Sequence, residues 1–510
     1  MPDTLAELYE KLEPRREPYL RRARDAASLT VPTLFPEQGH DGQWDFDDPF
    51  QSIGAMGVAS VSSKFQLTMF PPGLDFFEIQ LDPQSVADAE RAGQNTQIQQ
   101  AKKDSELRTQ IIAYHLEGEA FRARMSEVFP NLVVGGNILL REKKDGTGLR
   151  LHRLPSYVCD VDGEDNLLAV VVRERVSRRG LPPDLLAVVS KKDDPVDIYT
   201  GWLKREGSPI YDAWQEYDNK AIANTRAEYP TRELLPVHPA RFDPCCGEPY
   251  GRGLVDRMIG DIASLEGLAQ STVELAAEAA RLVWLHNPNG PTTPEMLAEA
   301  PNGAHRWGNA EDVTALKLDK NGDMQLVLGA GQGLRNDLQT AFFMRQSIQR
   351  DAERVTAVEI QTLAQELDET MGGAYSILSA EIQLPILRMT EARLVKAGKL
   401  PAVKEGSGVK TRIIAGLEGL GRGIRLRQMS TFLTSASRVP PDEAMGFDID
   451  RRKVLEELAH SSGVGTRYLR TTEQASALRK ARSAQIAQQQ LGPEMVRQGG
   501  QIVRDQLQPT

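Results

Sequence analysis

The sequence predicts an α+β fold that is mainly helical and is divided into several domains. Its 510 residues exceed what one hydrophobic core usually supports, so two to four structural units are expected. Long stretches carry apolar residues every three or four positions, which is typical of amphipathic helices. Shorter runs bounded by turn residues are typical of strands. The composition, 40% hydrophobic and 26% charged, is ordinary for a soluble globular protein.

The charge balance is acidic. The chain has 71 Asp and Glu residues against 61 Lys and Arg residues, a formal net charge of -10. Proteins that read a nucleic-acid sequence with high affinity normally present a basic surface. The acidic charge balance therefore argues against a high-affinity, sequence-reading nucleic-acid binder. It is compatible with a protein that DNA slides past without being held.

Cysteine usage and the N-terminus indicate a protein made inside the cell. The 3 cysteines, Cys159, Cys245 and Cys246, are too few for a disulfide framework and have no C-x-x-C spacing, so a reducing compartment is expected. The start, M-P-D-T-L-A-E-L-Y-E, lacks the apolar core of a signal peptide. No apolar run approaches the roughly 18 residues of a membrane span, so no membrane partner is expected.

The N-terminal part is predicted to be helical. Residues 3–30 should form two helices broken at Pro14, and residues 54–70 a helix whose small side chains permit close approach of another backbone. Two further helices are expected in residues 96–129. The second N-terminal helix has a basic side that either contacts phosphate or pairs with acidic neighbours at a solvated surface. The basic residues are Arg15, Arg16, Arg21, Arg22 and Arg24.

Strands dominate the next part of the chain. The predicted strands are residues 137–141, 149–152, 158–161, 167–176 and 196–203. The acidic turn at residues 160–166 lacks the twelve-residue spacing and the closing Glu of a calcium loop, so a hairpin turn is predicted there.

Helices return in the second half. An alanine-rich helix with an apolar stripe is expected over residues 255–285. A hairpin should then pair residues 315–318 with residues 324–328 around an Asn-Gly turn, and residues 334–350 should again be helical.

The most distinctive segment is a long acidic helix between Glu353 and Leu387. Gly372 and Gly373 near its middle permit a bend, and Pro385 marks its expected end. Its carboxylates are Glu353, Glu359, Glu366, Asp368, Glu369 and Glu381, and Arg354 is the single basic residue among them. The alternative is a core helix with a solvated outer face.

The sequence carries no signature of an enzyme. It contains no G-x-x-x-x-G-K-[ST] phosphate loop, no H-E-x-x-H zinc motif and no G-x-S-x-G elbow. The glycine-rich segments 329–333 and 419–423 do not follow a strong strand in a βαβ unit, so flexible turns are predicted. No catalytic residue, metal ligand or cofactor is assigned.

A series of segments, taken together and in order, resembles one known family. The segments are Pro18–Pro36, Gly54–Pro71, Leu132–Leu140, Leu151–Val158, Pro249–Gly253, Arg350–Ile360, Gly372–Pro385 and Gly416–Gly423. Each is short, such as P-Y-G-R-G, but the ordered series is specific. It resembles the portal, or head-to-tail connector, proteins of short-tailed, podovirus-type tailed bacteriophages, and it covers most of the chain to about residue 425.

The resemblance implies a multidomain portal fold that assembles into a dodecameric ring with a central channel. The implied parts are the wing (1–248), the first stem helix (249–289), the clip (290–333), the second stem helix and tunnel loop (334–356), the kinked wing helix (357–395), and the crown and C-terminal helices (396–510). The ring would sit at a single capsid vertex and admit DNA during packaging and release it during ejection. The missing phosphate loop agrees with this function, because in this family the ATPase is a separate terminase.

The resemblance also implies partners and a location. The implied partners are further copies of the chain, double-stranded DNA in passage, the terminase motor, major capsid and scaffolding proteins, tail adaptor proteins and internal core proteins. The protein would be made in the host cytoplasm and reside in the virion. Two alternatives are a ring-forming structural adaptor or scaffold without a DNA channel, and a nucleic-acid enzyme.

Two groups of site residues follow from the likeness. The tunnel-loop or DNA-facing candidates are Arg345, Gln346, Gln349, Arg350 and Arg354. Alternatively, these arginines pair with Asp351 and Glu353. The acidic-channel candidates are Glu353, Glu359, Glu366, Asp368 and Glu369. Basic walls hold DNA by releasing counterions from phosphates, whereas an acidic lining repels the duplex and lets it pass.

Overall fold

The computed structural model describes most of the chain. The described residues are 4–36, 46–71, 76–118, 121–143, 146, 148–181, 186, 195–280, 283–316, 321–344, 362, 365, 369, 373–401, 411–415, 454–455, 474, 476–478 and 480–483. The chain forms two compact units, Met1–Leu420 and Gly421–Thr510. The described residues of the second unit are helical, and every element named below belongs to the first.

The first unit mixes helices and strands, as predicted. Its helices are α1 Leu5–Ser28, α2 Ile53–Met69, α3 Pro83–Arg91, α4 Asn95–Gly118, α5 Phe121–Gly135, α6 Leu254–Arg257, α7 Ile259–Ala280, α8 Pro294–Ala298, α9 Asn321–Ala341, α10 Ala374–Leu378 and α11 Leu384–Lys396. A π-helical turn, Ser379–Gln383, joins α10 to α11. Among the described residues, no helix is long and apolar enough to span a bilayer.

Among the described residues, every strand pair is antiparallel. They are β1 Phe77–Leu81, β2 Asn137–Glu142, β3 Leu149–Arg153, β4 Tyr157–Val161, β5 Leu167–Val176, β6 Val196–Lys204, β7 Tyr211–Tyr217, β8 Lys220–Ala221, β9 Ala227–Tyr229, β10 Val237–Arg241, β11 Val283–His286, β12 Val313–Leu316 and β13 Thr411–Ala415. The largest sheet has the order β4-β5-β6-β7-β8, with β9 also on β7. A second sheet has the order β10-β2-β3, and two pairs, β1-β13 and β11-β12, complete the set.

The main core surrounds α2 and α5. Phe65 and Phe129 are fully buried there, with ring centroids 6.1 Å apart. A Cβ on Gly57 would lie 2.4 Å from the Phe342 ring, and one on Gly54 would lie 2.8 Å from the Leu29 carbonyl oxygen. The small residues of α2 therefore permit close packing, as the sequence predicted.

The predicted break at Pro14 is wrong, because α1 continues through Pro14 and Pro18. A proline inside a helix removes one hydrogen bond and costs about 3 kcal/mol. The apolar face of α1 offsets that cost: Leu5, Leu8 and Leu12 are buried against strands of the largest sheet. Tertiary packing, rather than local helix propensity, therefore determines that α1 continues through the prolines.

The basic side of α1 pairs with acidic neighbours. Arg15 lies 3.0 Å from Asp160, Arg22 lies 2.7 Å from Asp256, and Arg24 lies 3.9 Å from Glu17. Arg16 is fully buried; it contacts Glu13 at 2.8 Å and donates to the Tyr9 hydroxyl and the Pro155 carbonyl. Arg15, Arg16, Arg22 and Arg24 therefore form ion pairs with acidic residues of the same chain.

The predicted hairpin around Asn321 is also wrong. Residues 313–316 pair instead with β11, and residues from Asn321 onward form α9. The helix predicted for residues 255–285 ends at Ala280 instead, because residues 283–286 form β11 and pair with β12. An Asn-Gly pair favours a turn only locally, and pairing with a more distant strand overrides it.

The predicted helix end at Pro385 is wrong as well, because the helical segment continues to Lys396. Pro385 directly follows the π-helical turn, at whose end the backbone N–H of Leu384 donates to the Ser379 carbonyl five residues back, so the helix continues past the proline with a shifted bond pattern. On the other side, Gly373 has a φ of +85°, and α10 begins only after it.

Candidate assembly surface on a helical arm

Residues 259–280, 283–316 and 321–341 form an arm whose base joins the main core. At the base, Ile262 and Leu265 of α7 and Leu338 of α9 join the main core. Beyond this base, most described residues of α7, α8, α9 and the intervening segments are exposed. The two long helices thus carry a distal part that contributes nothing to the core of the same chain.

The arm presents large apolar side chains to solvent. They are Val273, Val283, Trp284, Leu285, Leu297, Trp307, Leu326 and Leu328. Trp307 is 93% exposed and Leu326 is 77% exposed. Full burial of a side chain of this kind stabilises by about 1.5–3 kcal/mol, and clustered exposed apolar residues mark protein contact surfaces.

The small sheet of the arm is incomplete on its own. In β11, the three consecutive residues Val283, Trp284 and Leu285 are about half exposed, so both faces of the strand meet solvent. Within the described residues, β11 and β12 pair only with each other, which leaves both outer edges open. An isolated two-stranded sheet is marginally stable in water, and open edges invite pairing with another chain.

Four glycines on the arm helices face no other part of the described chain. Apart from neighbouring residues and the backbone of the same helix, no described atom lies within 4 Å of the Cβ that Gly260 and Gly267 of α7 and Gly329 and Gly333 of α9 lack. Each glycine inside a helix costs about 1 kcal/mol relative to alanine. Close approach of another molecule would explain their presence.

A buried polar cluster holds the tip of the arm together. The carboxylate of Asp312 accepts from the hydroxyl of Thr292 at 3.1 Å and from the side-chain amide of Asn287 at 3.3 Å. Thr292 in turn accepts from the backbone N–H of Asn309 at 2.8 Å. A Cβ on Gly290 would lie 2.3 Å from Asp312, so this position excludes a side chain. The cluster therefore links the segment that contains Asn287 and Thr292 to the segment that contains Asn309 and Asp312.

The helix α7 is acidic throughout. It carries Asp261, Glu266, Glu274 and Glu278, and it has no basic residue. Glu266 caps the segment before α2, accepting from the backbone N–H of Phe50 at 2.7 Å and of Gln51 at 3.2 Å. The other three acidic residues are exposed and leave a negative surface along the arm.

The predicted tunnel-loop residues lie outside the described part of the chain. They are Arg345, Gln346, Gln349, Arg350 and Arg354. The acidic candidates Glu353, Glu359, Glu366 and Asp368 and the kink residue Gly372 lie outside it as well. Glu369 is described and is an exposed helical residue, and Gly373 adopts the left-handed conformation given above.

Glu381, counted among the carboxylates of the acidic helix, faces the interior. Its carboxylate lies 3.2 Å from the guanidinium of Arg241 and also accepts from the backbone N–H of that residue at 3.2 Å. His238 lies 4.0 Å away, and burial, together with Arg232, lowers the pKa of His238 to about 3. Glu381 therefore links the π-helical turn to β10 and adds no charge to an outer acidic face.

Sequence reasoning missed the apolar arm. One signal is the run V-W-L-H at residues 283–286. Its residues are apolar and favour a strand, but the predicted helix over residues 255–285 includes most of the run. A second signal is Trp307, which lies in a segment rich in Gly, Pro and Asn where a large aromatic residue has no local core to join.

A family model described as "Bacteriophage head to tail connecting protein" matches residues 2–469. The portal protein of Escherichia phage T7 is 30% identical over 503 residues, covering 94% of this chain and 91% of the relative. The portal protein of Enterobacteria phage T3 is 31% identical, with 94% and 90% covered. The portal protein of Pseudomonas phage phiKMV is 26% identical, with 99% of each covered.

Solved structures give more distant likenesses. The neck of an empty GTA particle has a TM-score of 0.37 and 12% identity, covering 84% of this chain and 93% of that one. The neck of a native GTA particle has a TM-score of 0.30 and 12% identity, covering 72% and 94%.

Proposed function

The chain belongs to the bacteriophage head-to-tail connecting protein family, and from that premise we propose that twelve copies of it form the portal ring of a phage head. The ring occupies a single capsid vertex, admits DNA during packaging and releases it during ejection. Its wing, stem, clip and crown follow the boundaries given above, so that the arm comprises stem and clip. The chain acts as a structural connector of the virion.

The exposed apolar surface of the arm carries this proposal. A monomer that left Trp307, Leu326 and the open edges of β11 and β12 in water would forgo several kcal/mol and would risk aggregation. In a head-to-tail contact between identical copies, one side of each arm packs against the opposite side of the neighbouring arm. Such contacts form a closed ring when the rotation between neighbours is a whole fraction of a full turn. The glycines of α7 and α9 supply the close approach that such a contact needs.

The acidic surface of α7 supports the passage of DNA. Asp261, Glu274 and Glu278 are exposed on a helix without basic residues. Repeated around a ring, these carboxylates repel the phosphates of a duplex, so the wall does not retain what passes through it. The tunnel-loop arginines would add sparse contacts that resist backsliding. The terminase motor and later the tail adaptors would dock on the arm tip, and capsid, scaffolding and internal core proteins on other surfaces.

Assembly is tested first. We expect sedimentation velocity at micromolar concentration to give a closed ring, with a central channel in negative-stain images. Leu326→Ser combined with Trp307→Ser should shift the protein towards smaller species, because two exposed anchors are lost. Tyr114→Ser, which alters a residue 76% exposed on α4 outside the arm, is the matched control and should leave the ring intact. A stable wild-type monomer would refute the ring, and a ring without a channel would favour the scaffold alternative.

The tunnel-loop assignment is tested by reversing one charge. Arg350→Glu should leave the ring intact and reduce the DNA packaged or retained per particle, because a phosphate contact becomes a repulsion. Arg91→Glu, at an 81% exposed site on α3, is the control for a charge reversal elsewhere. Normal DNA content in the Arg350→Glu particles would remove the assignment.

A further inference from the structure

A groove with a volume of about 640 Å³ lies in the first unit, away from the arm. It is lined by residues of β2, β6, β7 and β9, by the segment between β8 and β9, and by the end of α11. Its volume falls in the range of about 300–1,000 Å³ that is usual for ligand-binding clefts. The proposed portal function gives this groove no role.

The buried part of the lining is largely apolar. Trp202, Ala213 and Ile222 are buried there, and the first two lie opposite each other on β6 and β7. Beside them, the side-chain amide of Gln215 donates to the hydroxyl of Thr200 at 2.9 Å, so these two buried polar groups satisfy each other. The groove therefore offers an apolar floor that suits an apolar side chain of a partner.

The charged residues of the lining are mostly basic. They are Arg141, Lys143, Arg393 and Lys396, against the single acidic residue Glu142. Arg141 pairs with Glu174 at 3.0 Å, and Arg393 lies 3.7 Å from Glu142. Lys143 and Lys396 have no ion-pair partner among the described residues. On a chain with a net charge of -10, this local excess of positive charge favours an acidic partner.

Hydrogen bonds fix the groove on two sides. Asn224, between β8 and β9, has a φ of +63°, a left-handed conformation that asparagine tolerates well. The hydroxyl of Thr225 next to it accepts from the backbone N–H of Gln215 at 3.0 Å. On α11, the guanidinium of Arg393 donates to the Gly146 carbonyl at 2.8 Å. A groove that is formed in advance reduces the entropy that binding must offset.

An open strand edge lies beside the groove. Ala227 and Tyr229 of β9 line it, whereas the carboxylate of Glu228 between them pairs with Arg205 at 2.8 Å. Within the described residues β9 pairs only with β7, so its other edge has no strand partner. An extended peptide adds to such an edge through its backbone, while its side chains enter neighbouring pockets. The edge therefore favours a peptide as the occupant over a small anion.

We propose that this groove binds an extended acidic segment of a partner protein. One apolar side chain of the segment lies on the floor at Trp202, and its carboxylates pair with Lys143 and Lys396. A nucleic acid also offers negative charge, but it has no peptide N–H and C=O groups for the edge of β9. The groove is built from a single chain, so this inference goes beyond the proposed portal function and does not depend on it.

The groove is tested with peptides selected on the full-length wild-type protein from a library of random peptides of about 12 residues. We expect the selected peptides to be rich in Asp and Glu around one aromatic or aliphatic residue. In fluorescence anisotropy, Lys143→Glu combined with Lys396→Glu should weaken their binding by about tenfold or more, because two attractions become repulsions. Ala397→Trp, at an exposed lining position, should weaken binding by a similar factor because the indole fills the groove.

The matched control is Lys102→Glu combined with Lys103→Glu, which makes the same charge change at exposed positions of α4 and should leave binding unchanged. Peptides with Asn and Gln in place of Asp and Glu should lose their binding. Selection without acidic peptides, full binding to Ala397→Trp, or an equal loss in the control would overturn the proposal. It would also be overturned if a single-stranded oligonucleotide of about 12 nucleotides bound this groove more tightly than the selected peptides at about 150 mM salt.

Discussion

His152 shows how a single buried residue ties stability to pH. It lies in β3 and is 4% exposed, and within the described residues its Nε2 has no hydrogen-bond partner. Burial lowers its pKa to about 4; Glu174 opposes this shift, and Arg141 and Arg150 add to it. The imidazole therefore stays neutral in the fold over a range where the unfolded chain, with a pKa of about 6.5, takes up a proton.

The lowered pKa of His152 fixes the direction in which the stability of the fold depends on pH. Because the native state binds fewer protons between about pH 4 and about pH 6.5, stability rises with pH across that window and is lost as the pH falls through it, by up to about 1.4 kcal/mol per pH unit. His152→Leu removes the titration, and it breaks no hydrogen bond of Nε2 to the described residues. We expect the difference in urea midpoint between about pH 7.5 and about pH 5 to shrink in this variant. His115→Leu, at a partly exposed position on α4, is the control. An unchanged difference in His152→Leu would contradict the assignment.

At the scale of elements, local signals in the sequence predict the strands better than the helix ends. Residues 167–176 were predicted as a strand and form β5 with the same bounds, because turn residues and β-branched side chains mark both ends. The hairpin prediction at residues 315–328 failed, because the pairing of β12 with β11 is set by a contact that no local pattern encodes. The same holds for α1, where packing on the sheet overrides Pro14.

The helix α1 allows this competition to be measured. Pro14 lies inside the helix on its exposed side, so Pro14→Ala restores a backbone donor without disturbing the buried face. We expect an increase in stability of roughly 1–3 kcal/mol, read from urea titrations. Pro83→Ala, in the first turn of α3 directly after the extended cap residue Asp82, should change stability little, because an amide there has no partner within a regular helix. Equal effects of the two substitutions would contradict the argument.

For the whole molecule, the family resemblance gave the function, but the sequence could not give the working surfaces. The acidic helix proposed from residues 353–387 drew attention because its charges are dense, yet Glu381 proved to be an interior partner of Arg241. The acidic surface of α7 was overlooked because alanine and apolar residues dominate its composition. Composition records how many charges an element has, whereas only the packed structure shows which of them meet solvent.

The acidic surface of α7 leads to a prediction for the assembled ring. In the proposed portal, neutralising Asp261, Glu274 and Glu278 as Asn, Gln and Gln removes the repulsion that keeps a duplex from sticking. We expect double-stranded DNA to bind the variant ring more tightly than the wild-type ring at about 50 mM salt, and the difference to fade towards about 200 mM, because counterion-linked affinity falls steeply with salt.

The matched control for this experiment neutralises acids of the exposed surface outside the arm, with Asp88→Asn, Glu90→Gln and Asp104→Asn combined. It changes the net charge of the chain equally, so it separates a local channel effect from a general electrostatic one. Only the α7 variant should bind DNA more tightly and release it more slowly, in fluorescence anisotropy with a labelled linear duplex. Equal gains in both variants would show that DNA responds to total charge, and α7 would then lose its place as the wall of the channel.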